Sequence, residues 1–138
     1  MIAFFDTSIH IPLLSGALPL DIALDEINRL PIRLSPVVAS ELLRGVTDKG
    51  RHKVETLVRQ LLPLDPPSWQ RCWYDTGRLL PQVFPDHEEV GLARLQNDCL
   101  LALTAHHTGA VFLTADSHFD TIRRYVPFQL RLLRQRIR

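Results

Sequence analysis

Short, wholly apolar runs alternate with amphipathic stretches along the chain. The runs Ile-Ala-Phe-Phe at residues 2–5 and Ala-Val-Phe-Leu at residues 110–113 contain no polar position. Such runs are typical of central parallel strands that are covered on both faces. Residues 32–34 and 128–133 are further, shorter strand candidates. The pattern therefore predicts a sheet of short strands whose centre is buried.

Between these runs, apolar residues recur at helical spacing. The clearest amphipathic pattern covers residues 48–62, and helices are also predicted over residues 20–30, 36–44, 68–80, from Asn97 or a near neighbour to Gly109, and as a last turn over residues 121–125. Pro12 and the Ser15-Gly16 pair are expected to break the chain after the first strand. Residues 84–91 are expected to form an exposed loop, and the arginine-rich end is expected to fray.

Two of the predicted helices have features that bear on a site. Residues 36–44 follow Ser35, a suitable N-cap, and begin with Pro36, which fits the first helical position. The helix that ends at Gly109 is apolar on every side over residues 99–105 except at Thr104, so it should be buried almost all round.

Strands that alternate with helices indicate a three-layer α/β/α sandwich around a mainly parallel sheet. The connections should be right-handed crossovers. A chain of 138 residues that is 46% hydrophobic suits one compact domain over residues 1–138. We find no internal repeat and no low-complexity linker.

The composition of the chain bears on its partners and its cellular setting. The net charge of +1 neither requires nor excludes a nucleic-acid partner. Two cysteines, Cys72 and Cys99, do not make a disulfide framework or a zinc site, which favours a reduced, intracellular setting. No signal peptide is visible in the sequence, and no stretch approaches the ~20 apolar residues of a membrane span. We therefore expect a cytoplasmic protein without a membrane span.

Acidic residues follow the predicted strands where ligands bind in α/β proteins, beyond the carboxyl ends of the strands. Asp6 comes directly after the first strand, and Asp116 follows the third with Thr114 between. Glu41 lies in the helix after the second strand, and Asp98 lies at the predicted start of the buried helix.

Each of these residues also has a local explanation. Asp6 could cap a helix, Asp98 could gain from a helix dipole, and Asp116 could shape a turn. Glu41 could be an ordinary exposed helical residue. Together they favour a site, because carboxylates held close repel one another unless a cation neutralises them. Oxygen ligands select hard cations such as Mg²⁺ or Mn²⁺.

The segments "FFDTS", "SPVVASELLRG", "NDCLLALTAHHTGAVFLTAD" and "SHF", in this order and at these separations, resemble a PIN-domain ribonuclease of the VapC toxin type. The resemblance covers nearly the whole chain, although residues 63–89 match only loosely. It implies that the family's catalytic and metal-binding residues correspond to Asp6, Glu41, Asp98 and Asp116, hereafter the acidic cluster.

The resemblance also suggests supporting residues. Thr114 matches a hydroxyl residue near the last carboxylate of the family, and Asn97 matches a common Asn-Asp pair, where we assign it to helix capping. Asp120 lies four residues after Asp116 and could reach the site through water. His118 is the one histidine that we retain as a minor candidate.

The function implied by the resemblance is a metal-dependent endoribonuclease. Mg²⁺ or Mn²⁺ held by the acidic cluster would activate water for attack on an RNA phosphodiester. The family further implies a homodimer and a cognate antitoxin protein that blocks the site.

Two other functions stay open from the sequence. A phosphatase could use Asp6 as its nucleophile, but Ser8 stands where a second carboxylate is expected, and no lysine follows the third strand. An inactive PIN-like binding or scaffold module is the second, and Mn²⁺ should not stabilise it.

Basic and aromatic residues could form an RNA path. The candidates are Arg44, Arg51, His52 and Lys53 after the Glu41 helix, Arg123, Arg124 and the arginines at 131, 134, 136 and 138, and the aromatic residues Trp69, Trp73 and Phe84. Surface arginines usually serve solvation, and tryptophans at helical spacing more often belong to a core or a dimer contact.

Overall fold

The computed structural model describes residues 1–87 and 91–134. The strands are β1 (Ala3–Phe5), β2 (Ile32–Arg33), β3 (Val111–Thr114) and β4 (Gln129–Leu132). The helices in this part are α1 (Thr7–Ser15), α2 (Leu20–Glu26), α3 (Pro36–Gly45), α4 (Arg51–Gln60), α5 (Trp69–Val83), α6 (Leu92–Thr108) and α7 (Phe119–Arg123). Part of the predicted loop, residues 88–90, and the predicted frayed end, residues 135–138, lie outside the described residues.

The strands form one sheet in the order β2-β1-β3-β4, and every pairing is parallel. The prediction of an α/β/α sandwich around a parallel sheet is therefore confirmed. The central strands β1 and β3 pair Phe4 with Phe112 and Phe5 with Leu113. Their carboxyl ends consequently lie side by side.

Alternation along the central strands separates two apolar cores. Phe4 and Phe112 belong to the core that α3, α4, α5 and α6 cover. Phe5 and Leu113 belong to the core on the other face, under α1 and α2. Successive strand side chains point to opposite faces, so a strand that is apolar at every position is buried on both sides.

Two prolines lie inside helices. The prediction that Pro12 breaks the chain is wrong, since α1 runs through it to Ser15 and ends at Gly16, whose φ of 82° closes the helix. Similarly, α5 continues past residue 80 through Pro81. Pro12 is buried and its carbonyl accepts a hydrogen bond from Leu18 at 3.0 Å, so packing offsets the helix bond that proline cannot donate.

Other helix boundaries also differ from the predictions. Helix α2 ends at Glu26, before residue 30, because Asn28 and Arg29 have φ of 54° and 55° and turn the chain toward β2. The predicted helix over 48–62 is divided into a 3₁₀ turn, Asp48–Gly50, and α4. The last helix begins at Phe119, before residue 121.

Helix α6 begins at Leu92, well before Asn97. Leu95 is 2% exposed, so the buried stripe of this helix extends further toward its N-terminus than the wholly apolar segment does. Asp98 therefore lies inside the helix, beyond its first turn. The predicted end at Gly109 is correct, and φ there is 72°.

Within residues 1–87 and 91–134, no helix is both long and apolar enough to cross a membrane. Cys72 and Cys99 are free and buried. Burial raises the pKa of the Cys99 thiol to about 12, so it packs as a neutral group.

Candidate active site

Asp6 lies at the junction of β1 and α1, and its carboxylate organises that junction. The backbone N–H of Asp6 donates to the Leu113 carbonyl at 2.9 Å, which extends the pairing of β1 with β3 by one residue. Its Oδ1 accepts from the Thr7 N–H at 2.8 Å and caps α1. The cap that the sequence suggested is thus present, and it leaves Oδ2 to face the neighbouring strand.

Two hydroxyls join the first strand to the third through Asp6. Ser8 Oγ and Thr114 Oγ1 each donate to Asp6 Oδ2 at 2.8 Å. Ser8 Oγ also accepts from the Ala115 N–H at 3.0 Å. These hydrogen bonds fix the orientation of the carboxylate. Thr114, a supporting candidate from the sequence, therefore acts directly on Asp6.

Glu41 reaches the same edge from α3. Ser35 Oγ caps this helix by accepting from the Val37 N–H at 3.2 Å. Thr7 Oγ1 donates to Glu41 Oε1 at 3.1 Å. Burial raises the pKa of the Glu41 carboxyl, and the nearby charges of Asp6 and Asp98 raise it further.

Asp98 is buried on the inner face of α6. Burial is the main cause of the raised pKa of its carboxyl, and the charges of Asp6 and Asp116 add to it. His118 Nε2 lies 3.2 Å from Asp98 Oδ2. Both atoms are buried, and within the described part of the chain neither has a hydrogen-bond partner of full geometric quality. Asp98 raises the pKa of His118, as an acceptor and as a negative charge, and His118 in turn lowers the pKa of the Asp98 carboxyl.

The predicted roles of the α6 residues need two corrections. A dipole explanation for Asp98 fails, because the residue lies beyond the first turn of a helix that begins at Leu92. For the same reason Asn97 does not cap the helix. Its side chain instead lies beside Glu41, where its hydrogen bonding, like that of Thr7, lowers the pKa of the Glu41 carboxyl.

Asp116 closes the turn after β3. Its Oδ1 accepts from the His118 N–H at 3.0 Å, and its own N–H donates to Thr114 Oγ1 at 3.1 Å. Its Oδ2 faces the Arg94 guanidinium, with Nη2 at 3.2 Å. The turn-shaping role suggested by the sequence is therefore present together with a second, outward-facing carboxylate oxygen.

The structure brings the acidic cluster together from elements that are far apart in sequence. The charges of Asp6 and Asp98 raise the pKa of the Glu41 carboxyl, and the charges of Asp6 and Asp116 raise the pKa of the Asp98 carboxyl. In residues 1–87 and 91–134, no group of three or more histidine, cysteine, aspartate or glutamate side chains is placed so that it could hold a metal ion. The chemistry of the donor set nevertheless suits a hard cation, since it is all oxygen and includes Oδ2 of Asp98, which is buried and contacts His118 Nε2 without a hydrogen bond of full geometric quality.

Several predicted candidates lie elsewhere. Asp120 pairs with Arg123 at 2.7 Å and lines a separate surface pocket beside Glu26, so it does not join the acidic cluster. Trp69 donates to Asp65 at 3.0 Å and packs against the core, and Trp73 is half-exposed. Phe84, by contrast, stacks on His118 with ring centroids 4.6 Å apart.

Sequence reasoning missed three contributors to the site. Thr7 contacts Glu41, Ser8 contacts Asp6, and Arg94 contacts Asp116. The spacing of Arg94 four residues before Asp98 would place both on one helix face, but only with the true start of α6. Ser8 follows Asp6 by two residues, where an N-cap commonly meets the first turn.

The fold and the site define an α/β protein with a carboxylate-lined edge at the ends of two central parallel strands. Residues 3–125 match the PIN domain family. Because this match spans most of the chain, the chain belongs to the PIN domain family.

Solved structures show the same fold. A chain in the crystal structure of VapBC2 from Rickettsia felis, bound to a DNA fragment from its promoter, is 18% identical, with a TM-score of 0.67 over 96% of this chain and 99% of that chain. VapBC-5 from Mycobacterium tuberculosis, a member of the VapBC family of toxin–antitoxin systems, is 19% identical, with a TM-score of 0.53 over 96% and 98%. FitAcB from Neisseria gonorrhoeae is 16% identical, with a TM-score of 0.53 over 94% and 96%. A search of curated proteins finds no match.

Proposed function

We propose that this protein is a metal-dependent endoribonuclease and the toxin of a toxin–antitoxin pair. The observation that carries the proposal is the convergence of the acidic cluster at the carboxyl edge of β1 and β3. Membership of the PIN domain family supports it. The likeness to chains of VapBC complexes supports the toxin role and an antitoxin partner.

Carboxylates and hydroxyls would have different roles in binding a cation. Asp6, Glu41, Asp98 and Asp116 would supply carboxylate oxygens to Mg²⁺ or Mn²⁺. When bound, the ion supplies a lowered pKa for water and stabilises charge on the phosphate. The hydroxyls of Thr7, Ser8 and Thr114 keep the carboxylates oriented, so little reorganisation is needed at the moment of reaction.

One of the carboxylates would also accept the proton of the attacking water. Burial raises the pKa of Glu41 and of Asp98, so these carboxyls are more basic than exposed ones. A carboxylate within hydrogen-bond reach of the water would accept its proton as a general base. RNA is the proposed substrate, and a homodimer is the proposed assembly, which light scattering on the purified protein would test.

A nuclease assay tests the proposal. Purified protein would be incubated with structured RNA, unstructured RNA and DNA in Mg²⁺, Mn²⁺ or EDTA. We expect cleavage of RNA that needs a divalent ion and falls at least about 100-fold in Asp98→Asn and Asp116→Asn.

Asp75→Asn is the matched control. Asp75 pairs with Arg78, and its side chain is 30% exposed, the same fraction as that of Asp116 in its pair with Arg94. This variant should cleave like the wild type. RNA cleavage that persists in EDTA, or that survives both acidic-cluster substitutions, would remove the metal-dependent mechanism. Absence of cleavage together with absence of Mn²⁺ binding would favour the scaffold function.

A further inference from the structure

Arg94 occupies an unusual position for a surface arginine, because its partner belongs to the acidic cluster. Its guanidinium Nη2 lies 3.2 Å from Asp116 Oδ2. Among residues 1–87 and 91–134, it is the one lysine or arginine that forms an ion pair with Asp6, Glu41, Asp98 or Asp116. Its positive charge therefore partly neutralises Asp116, a carboxylate that a bound cation would also neutralise.

The Arg94–Asp116 ion pair is exposed and weak, so it can dissociate readily. The Arg94 side chain is 72% exposed, and the Asp116 side chain is 30% exposed. Water screens a pair at such a surface, so it typically contributes 0–1 kcal/mol. The structure shows one guanidinium nitrogen on one carboxylate oxygen, without the two parallel bonds that strengthen the best arginine–carboxylate pairs.

The same pair engages the outward-facing oxygen of Asp116. Oδ1 accepts a backbone hydrogen bond from His118, and Oδ2 faces Arg94. A cation that binds Oδ2 therefore competes with Arg94 for that oxygen. Displacement leaves an exposed guanidinium next to the reacting centre with no carboxylate partner.

We propose that Arg94 is a displaceable internal counter-ion, which holds Asp116 in the metal-free protein and, once displaced by the divalent cation, binds a phosphate of the RNA substrate. The first half of this proposal rests on the cation site of the proposed function, and the second half rests on RNA as its substrate. A guanidinium is always charged, and its N–H groups match the oxygens of a phosphate. Once Arg94 has left Asp116, it can therefore bind a phosphate in place of the carboxylate. Metal binding and substrate binding are thereby linked through one side chain.

The first experiment measures Mn²⁺ binding by calorimetry, without RNA. Arg94→Gln removes the charge and keeps a long helix-forming side chain, so we expect Mn²⁺ to bind about two- to fivefold more tightly, which corresponds to the loss of a surface pair. Arg94→Lys keeps the charge and should stay close to wild type. Arg78→Gln is the control, because Arg78 and Asp75 have the same exposed fractions, 72% and 30%.

The second experiment measures binding of a short single-stranded RNA across a salt titration, by fluorescence anisotropy. In Ca²⁺, Arg94→Gln should weaken binding and reduce the slope of log affinity against log salt by about 0.7, the value for one lost phosphate contact. In EDTA, where Arg94 stays on Asp116, wild type and Arg94→Gln should have nearly the same slope.

The outcomes separate this proposal from the nuclease proposal. The counter-ion role of Arg94 is overturned if wild type and Arg94→Gln bind Mn²⁺ with equal affinity. It is also overturned if Arg78→Gln gains as much Mn²⁺ affinity as Arg94→Gln does. Both conclusions hold even if RNA is cleaved. Tighter Mn²⁺ binding in Arg94→Gln without any RNA cleavage supports the counter-ion while the nuclease proposal fails. A wild type that binds no Mn²⁺ overturns both. A salt slope that changes equally in EDTA and Ca²⁺ overturns the phosphate contact.

Discussion

At the scale of single residues, the site is a balance between buried charge and the groups that satisfy it. Asp6 is 8% exposed and accepts three hydrogen bonds, from Thr7, Ser8 and Thr114. Asp98 is 7% exposed, and its Oδ2 contacts His118 but has no hydrogen-bond partner in the described residues. The first carboxylate is fixed by its neighbours, whereas the second retains an oxygen that a ligand would satisfy.

Thr114→Val tests how firmly Asp6 is held. The residue is fully buried, and its hydroxyl donates to a carboxylate, so the substitution should cost about 1.5–3 kcal/mol of unfolding free energy. Thr104→Val is the control, since Thr104 is equally buried but donates to the Leu100 carbonyl. Urea unfolding of both variants should show the larger loss in Thr114→Val, and equal losses would count against this role.

His10 predicts a pH dependence of stability. Burial lowers its pKa from 6.5 to about 4, and its Nε2 has no hydrogen-bond partner in the described residues. The unfolded chain therefore binds the proton more readily between these values. His10 should lower stability by on the order of 3 kcal/mol as the pH falls from 6.5 to about 4.

Urea unfolding across this pH range would check the effect. In His10→Leu, stability should fall less with acidification than in the wild type. His52→Gln, at an exposed position, should follow the wild type. If His10→Leu and wild type lose stability in parallel, His10 does not account for the acid sensitivity.

At the scale of elements, helix ends decide where the carboxylates point. Asp6 caps α1 with one oxygen, and Ser35 caps α3, the helix that carries Glu41. Helix α6 is long enough to place Asp98 in its interior, against His118 from the turn before α7. Local backbone geometry at the helix ends thus orients the carboxylates of Asp6 and Glu41, whereas packing orients the carboxylate of Asp98.

Ser35→Ala tests whether the cap of α3 affects the position of Glu41 in addition to the stability of the fold. Loss of the cap should cost about 1 kcal/mol. Ser68→Ala is the control, because Ser68 caps α5 through the Arg71 N–H at 3.1 Å, and α5 carries no member of the acidic cluster. Unfolding should show a cost in both variants, while RNA cleavage should fall in Ser35→Ala alone. A parallel fall in Ser68→Ala would mean that stability by itself limits activity.

At the scale of the whole molecule, the parallel sheet is what makes the site. Its order, β2-β1-β3-β4, places β1 against β3, and both strands end at the same edge. The two apolar cores hold the helices on opposite faces, so that α1, α3 and α6 deliver side chains to that edge. A ligand at this edge would join elements from both halves of the chain.

Cation binding should therefore stabilise the entire fold. At 100 times the dissociation constant, Mn²⁺ would add about 2.7 kcal/mol, which raises the melting temperature by roughly 5–10 °C for a domain of this size. Thermal unfolding with and without Mn²⁺ would measure the shift. Asp98→Asn should abolish it, and Asp75→Asn should keep it. A shift that is the same in both variants would place the ion away from the acidic cluster.

Apolar patterning by itself predicted the architecture well. The runs that became β1 and β3 are buried at every strand position, as expected of central parallel strands that are covered on both faces. Helix ends were less predictable, because proline propensity was overridden at Pro12 and Pro81 by packing. Asn28 and Arg29 adopt left-handed backbone that no apolar pattern announces.

The sequence by itself determined which carboxylates follow strands, since Asp6 lies directly after one apolar run and Asp116 lies three residues after the last residue of the other, and the composition of both runs favours burial. Tertiary structure alone decided which side chains meet them. Thr114 reaches Asp6, Thr7 reaches Glu41, and Arg94 reaches Asp116 across separations of 108, 34 and 22 residues. Local pattern carries no information about such pairs, because they depend on the order of strands in the sheet and on where α6 begins.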